Sequence, residues 1–350
     1  VEAPLRVPFG FYSVPREQFS RLADAGVTMV GPYYGPTPSV ALLDDAKAMG
    51  LGVVYPVGAD GVDAVGAQVD AVAGHDAVVA WYVLPEELRP WVPAEVEYLD
   101  TVRRAVHGSD ARRRPLLSYQ PNHADRARLV AISAAFDIVS RGLYAGYVGQ
   151  GERRTWVRVG AETIVAAAGP EQSAWAVLEM FQQPAEHSRS RIAAWARHDV
   201  YASLVAGAEG ILVFSGWPRK GFDDYETYLE AYLSVARELN GPQAIGTAVL
   251  RGVPSSQVRV TQVEGPASVE IGEGTAVERV PAVASAVLED RGAVWVFVVN
   301  SAERSVALEI DTPCPLERVV GPSVHGGRLV LPPLGVAVLR TAAHEESTAI

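Results

Sequence analysis

From residue 7 to residue 241 the chain alternates short apolar runs with longer stretches whose apolar residues return every three or four positions, the patterns of buried strands and amphipathic helices. Residues 7–12 (VPFGFY) are the first such run. Residues 15–26 follow, with Phe19, Leu22 and Ala23 at helical spacing and Gly26 as the stop. The same pair then recurs. Strands are predicted over 27–31, 52–57, 78–84, 115–120, 137–144, 174–181 and 210–217, and helices over 40–49, 62–74, 94–107, 125–135, 152–168, 188–206 and 223–239, the last halted by Asn240, Gly241 and Pro242. Eight strands alternating with helices over about 240 residues match the size and order of a (β/α)8 TIM barrel. The rival α/β arrangement, a doubly wound sheet, wants a glycine-rich phosphate loop after its first strand, and residues 10–15 (GFYSVP) are no such loop.

After Pro242 helical periodicity disappears. Short β-rich runs at 257–263, 293–299, 306–310, 329–331 and 336–339, broken by Gly, Pro and Asn, predict a small C-terminal antiparallel β-sandwich domain. The expected division is a barrel over 1–241, a linker over 242–254, the sandwich over 255–340 and a polar, frayed tail over 341–350.

Composition narrows the function classes. The 350 residues are 49% hydrophobic and 20% charged, enough to bury a full core, and the formal charge of −11 argues against nucleic acid, whose phosphates need a basic surface. Arg112, Arg113 and Arg114 form the longest basic run and read as a solvated turn before a strand. Cys314 is the one cysteine, so no disulfide can close within the chain and no zinc site can be built from thiolates. No apolar run reaches the roughly 18 residues of a membrane span. The first residue is Val1 rather than methionine, compatible with a leader removed upstream, and the compartment stays open between secreted and cytoplasmic, as does the oligomeric state.

In a (β/α)8 barrel chemistry sits at the C-terminal ends of the strands. The seventh run (AWAVLEMF, 174–181) is apolar nearly throughout but carries Glu179, and a carboxylate there is paired, exposed or functional. The fourth strand holds Tyr82 and runs into Pro85, Glu86 and Glu87. The first ends in Tyr12, the second runs into Tyr33 and Tyr34, and the third ends near Tyr55 and Asp60. The fifth contributes Tyr119, Gln120, Asn122 and His123, the sixth Arg141 and Tyr144, the eighth Trp217. The set combines two carboxylates with aromatic rings and amides, and has no His/Asp cluster at metal-ligand spacing. Cleavage of a glycosidic bond needs two carboxylates across a pocket, one protonating the leaving oxygen while the other attacks the anomeric carbon or activates water. Rings and amides supply sugar-facing walls.

Residues 81–86 (WYVLPE) and 175–179 (WAVLE) resemble the strand-four and strand-seven motifs of the clan A glycoside hydrolases, retaining (β/α)8-barrel enzymes. The resemblance implies that Glu86 is the acid/base and Glu179 the nucleophile, that Tyr144 contacts the nucleophile, and that Trp217 floors the sugar site. Two positions depart from the clan's pattern: Pro85 stands where it usually has the Asn that binds the sugar 2-hydroxyl, and Tyr33 and Tyr34 stand where an arginine is common.

The expected function is therefore a glycosidase acting on an oligosaccharide or glycoside by double displacement, with no cofactor. Tyr33, Tyr34, Tyr82, Tyr119, Gln120, Asn122, Arg141, Tyr144 and Trp217 are the candidate substrate contacts. Glu87 is the less favoured candidate for the acid, because the strand-four motif points to Glu86 and adjacent side chains on an extended backbone face opposite ways. Each residue also has a plainer reading: Pro85, Glu86 and Glu87 can open a helix, Trp217 can pack between strand and helix, and Arg141 can pair with Asp137 or a glutamate, favouring an acidic sugar only if it faces the pocket. A carbohydrate-binding barrel without turnover, or a barrel lyase or hydrolase of other chemistry, are the alternatives.

Overall fold

The computed structural model describes residues 3–35, 37–146, 153–272 and 277–341. Its first part is a closed parallel barrel of eight strands, β1 (Phe9–Phe11), β2 (Met29–Val30), β3 (Gly52–Val57), β4 (Val78–Val83), β5 (Leu116–Ser118), β6 (Ile138–Leu143), β7 (Ser173–Glu179) and β8 (Gly210–Phe214). Closure comes from β1 pairing with β8, with Phe9 opposite Ile211 and Phe11 opposite Val213. Around it run α1 (Phe19–Asp24), α2 (Val40–Ala48), α3 (Val65–Val72), α4 (Pro93–Ser109), α5 (Arg126–Ser133), α6 (Thr155–Ala167), α7 (Ile192–Val205) and α8 (Tyr225–Asn240).

Strand alternation sorts the side chains into two cores. On β7, Ala174, Ala176 and Leu178 pack outward against the helices, whereas Trp175 and Val177 fill the barrel with Met29, Val54, Ile138 and Leu212. The layer nearest the C-terminal rim is made of tyrosines, Tyr12, Tyr82, Tyr119 and Tyr144. Gly142 makes room for it: a Cβ there would lie 2.6 Å from the Tyr119 hydroxyl. At the opposite end Asn240 does more than stop α8. Its side chain accepts from Val7 N (2.8 Å) and donates to the carbonyls of Val7 (3.0 Å) and Gly26 (2.9 Å), tying the last barrel helix to the first strand.

The stretch expected as a linker is structured. It carries α9 (Ile245–Arg251) and β9 (Val253–Pro254), and α9 escaped the sequence reading because it is a short helix entered from Ala244 in a left-handed conformation (φ 55°) with no capping side chain. Antiparallel sheets follow: β10 (Arg259–Glu264), β15 (Val306–Asp311) and β17 (Arg328–Leu331) in one, and β16 (Leu316–Val320), β18 (Val336–Thr341), β14 (Ala293–Asn300), β13 (Val283–Asp290) and β9 in another, with β11 (Ser268–Ile271) and β12 (Glu278–Pro281) as a separate pair. Val294, Val296 and Val298 of β14 pack between the two larger sheets, while Trp295, Phe297 and Val299 face the barrel helices. Burying each large side chain in that seam contributes about 1.5–3 kcal/mol, so the aromatic pair alone is a substantial anchor. Residue 152, where a helix was expected to begin, and residues 342–350 of the tail lie outside the described residues.

The same seam holds a cluster of Ser301, His198 and Asp199, with Ser301 Oγ 2.9 Å from His198 Nε2 and His198 Nδ1 2.9 Å from Asp199 Oδ1. Those are hydrolase residue types at hydrolase spacing. All three are buried to within 2% of complete, and Asp199 also binds Arg154 at 2.8 Å, so the cluster joins barrel to sandwich instead of meeting a substrate.

Candidate active site

The C-terminal rim opens into a cleft of about 250 Å³ lined by Tyr34, Glu86, Glu87, Tyr119, Tyr144, Phe181 and Phe214. Glu86 follows β4 and sits half-buried. Its Oε1 accepts hydrogen bonds from the hydroxyls of Tyr34 (2.5 Å) and of Tyr82, and the Tyr82 hydroxyl lies 3.2 Å from that of Tyr12. Burial raises the Glu86 pKa above the ordinary glutamate value, opposed by the two tyrosine hydrogen bonds and assisted by the neighbouring charge of Glu87. Burial also pushes Tyr12, Tyr82 and Tyr144 well above the usual tyrosine range, with the Glu86 charge adding to it, so the girdle is neutral and donates. Glu87 is exposed, with a left-handed backbone (φ 58°) that turns the chain away from the strand direction.

Glu179 ends β7 on the row of Trp175 and Val177, and alternation aims it to the barrel side at the rim. It is 4% exposed and does not belong to the lining of the 250 Å³ cleft. Gly146 N donates to its Oε2 at 3.0 Å, and Tyr232 donates to its backbone carbonyl at 3.0 Å. Gly146 has no spare room on that side, since a Cβ there would stand 2.8 Å from Glu179 Oε1. Arg154 interacts electrostatically with it. Burial opposes that guanidinium, but Asp199 and Glu179 outweigh the penalty and hold it more firmly protonated than usual.

The other expected contacts fall into three groups. Tyr34, Tyr119 and Tyr144 line the cleft, with Tyr119 and Tyr144 stacked at 6.0 Å, and Tyr82 lies just beneath, bonded to Glu86. Trp217 is 53% exposed, and its ring lies 5.7 Å from the Arg219 guanidinium. Tyr33 donates to Val14 O at 2.9 Å, and Asn122 brackets the backbone of Tyr144, donating to its carbonyl (2.9 Å) and accepting from its N–H (3.0 Å). Arg141 is buried, donates to Asn122 O at 3.0 Å and stacks 5.3 Å from the Trp156 ring; burial lowers its pKa to about 10. Gln120 is buried with neither amide atom bonded.

Sequence reasoning missed Phe181, Phe214, Arg154 and Arg219. The two phenylalanines were findable: Phe181 is two positions beyond Glu179 and Phe214 closes β8 on the inward register. Arg154 and Arg219 lie in loops or at a helix start and carry no periodic signal.

A larger surface hollow of about 770 Å³, lined by Glu87, Arg89, Trp91, His123 and Arg128 among others, shares only Glu87 with the cleft. It lies outside the tyrosine girdle. Among the described residues no three His, Cys, Asp or Glu side chains come together to hold a metal ion, and no helix is long and apolar enough to cross a membrane.

No family model and no curated protein matches the chain. Solved structures do. A GH30 endoxylanase from Clostridium papyrosolvens is 11% identical with a TM-score of 0.52, covering 98% of this chain and 97% of that one. An alpha-amylase from Geobacillus thermoleovorans, solved with acarbose, is 10% identical with a TM-score of 0.58 over 97% and 98% of the two chains. A trehalose-6-phosphate hydrolase from Bacillus licheniformis is 7% identical with a TM-score of 0.59 over 97% and 100%. At such identities the likeness is one of fold: the chain folds as TIM-barrel glycoside hydrolases do.

Proposed function

We propose that the protein hydrolyses a glycosidic bond with retention of configuration, Glu86 serving as acid/base and Glu179 as nucleophile. The observation that carries this reading is the setting of Glu86: a carboxyl group at the C-terminal rim of a (β/α)8 barrel, half-buried in a cleft, kept protonated to higher pH than an ordinary glutamate, and held by two phenols. A group so poised can protonate a leaving oxygen and later deprotonate water. Glu179, on the seventh strand at the same rim, has a backbone N–H on one oxygen and interacts electrostatically with Arg154, contacts that can orient a nucleophilic carboxylate. In the first step its oxygen bonds to the anomeric carbon as the leaving oxygen takes the Glu86 proton; in the second, water stripped of a proton by Glu86 displaces Glu179. Tyr34, Tyr119, Tyr144, Phe181 and Phe214 would form the sugar-facing walls.

The second reading is a sugar-binding barrel without turnover, favoured by Pro85 in the place where the clan it resembles carries a sugar-binding Asn. The two separate on a panel of aryl glycosides. On the best substrate found, Glu86→Gln is expected to lose about 10²–10⁴-fold in kcat and Glu179→Gln on the order of 10⁴-fold or more, with melting temperatures close to that of the parent. Near-parental turnover in either variant removes that residue from the mechanism, and no turnover of any glycoside by the parent supports the binding reading.

A further inference from the structure

Resting on the reading of the rim as a sugar site, we infer that the sugar bound there carries an anionic group, a carboxylate or an oxyanion ester, and that Arg219 receives it. Arg219 lies in the loop after β8. Its guanidinium carbon is 5.2 Å from the Phe214 ring centroid, 5.6 Å from that of Phe181 and 5.7 Å from that of Trp217, so it leans on two of the side chains that wall the cleft. Tyr34 and Tyr144, two further wall residues, act electrostatically on it.

The guanidinium offers five N–H donors in a plane. One of them is used: Nη2 donates to Ser215 Oγ at 2.6 Å. Among the described residues no carboxylate comes within ion-pairing distance of Arg219. That sets it apart from Arg21, Arg114, Arg154 and Arg197, each of which has an acidic partner. Stacking on rings stabilises the cation but leaves its in-plane donors unmet, and partial burial lowers its pKa, a sign that water does not fully solvate it. A cation held against the wall of a cleft with its fork free is suited to bidentate capture of a carboxylate, sulfate or phosphate oxygen pair. In a chain of net charge −11, such a local positive charge also offsets the repulsion that an anionic ligand meets. The arginine that the sequence suggested for this role, Arg141, is engaged by Asn122 O and Trp156 instead.

Binding, not turnover, tests this. D-Glucuronate, D-galacturonate, glucose 6-sulfate and glucose 6-phosphate are titrated against D-glucose and D-galactose by calorimetry, with tryptophan fluorescence as a second signal because exposed Trp217 adjoins Arg219. At least one acid is expected to bind about tenfold or more tighter than its neutral parent, with the preference shrinking as salt rises. Arg219→Met should abolish the preference and Arg219→Lys keep part of it. Whichever anion binds best, ring carboxylate or ester, names the substituent. Equal binding of acids and neutral parents, no acid binding at millimolar concentration, or a preference that survives Arg219→Met overturns the inference. A chain that prefers acids but hydrolyses no glycoside keeps this inference and loses the hydrolase reading; one that hydrolyses neutral glycosides and ignores acids does the reverse.

Discussion

Glu86 follows one barrel strand and Glu179 ends another at the same rim, yet they keep different company. Glu86 faces neutral phenols in a partly desolvated cleft, with Glu87 as a like charge beside it. Glu179 is nearly closed off from water, with a backbone N–H on its carboxylate and the Arg154 charge in reach. The first setting penalises the charge, and the second places a backbone N–H and a guanidinium around the carboxylate. Two residues of one type thus meet different neighbours at one rim, and the proposed assignment of general acid to Glu86 and nucleophile to Glu179 rests on that difference. The buried Ser301, His198 and Asp199 supply the limiting case, in which residue types suited to chemistry are given no access and hold two layers together.

The comparison can be broken from the Glu179 side with the largest effect. Asp199 is fully buried and is the ion-pair partner of Arg154. Asp199→Ala should cost about 3–5 kcal/mol of unfolding free energy in urea titrations, the penalty for leaving a buried guanidinium short of its partner. A loss below about 1 kcal/mol would mean that Arg154 is not held by this pair. Gly146→Ala should act on catalysis more than on stability: its Cβ would stand 2.8 Å from Glu179 Oε1, so the carboxylate must move. A displacement of that kind is expected to lower kcat roughly 10²-fold on the best substrate, with KM changed less. Unaltered kcat would show that Glu179 has no fixed position to lose.

A smaller effect sharpens the Glu86 side. Its pKa in the folded chain lies above the ordinary glutamate value, so the folded chain releases this proton less readily than the unfolded chain does. The stability contribution is therefore fully present below the unfolded pKa, falls as pH rises through the window between the unfolded and the raised folded values, and stays lost above it. Glu86→Gln removes this dependence. The stability of the variant relative to the parent should rise across that window, beginning at the ordinary glutamate range, and then level off. Equilibrium unfolding at a series of pH values measures it, and a flat difference would remove the desolvated setting of Glu86.

Much of the barrel was legible in the sequence because its strands are largely buried on both faces and most of its helices on one, so periodicity registered throughout and glycine stops in most units. What periodicity could not carry was lost. The helix Ile245–Arg251 has no cap signal, and Val283–Asp290 is a half-buried strand in which the small residues Ala284, Ser285 and Ala286 and the terminal pair Glu289 and Asp290 leave no clear apolar alternation. Near the rim, Glu86, Tyr34, Tyr119 and Tyr144 could be named because strand ends converge in a barrel whatever the loops do. Arg219 could not, since its position depends on how the loop after β8 folds over Phe181 and Phe214. Arg141 illustrates the converse: it lies on a barrel strand, yet its guanidinium is taken up by a backbone carbonyl and an indole.

The division of roles between the two glutamates is tested most directly by the stereochemistry of azide rescue. With an aryl glycoside whose leaving group needs little protonation, Glu86→Ala should still form the glycosyl-enzyme and then stall, because general-base help is missing from the second step. Added azide needs no base, so it should restore turnover and yield a glycosyl azide of retained configuration. In Glu179→Ala azide can only attack the opposite face of the intact substrate, so any rescued product should be inverted. Opposite configurations from the two variants, read by NMR of the products, are what the account predicts. The same configuration from both, or no rescue of either while both still bind the glycoside, would contradict it.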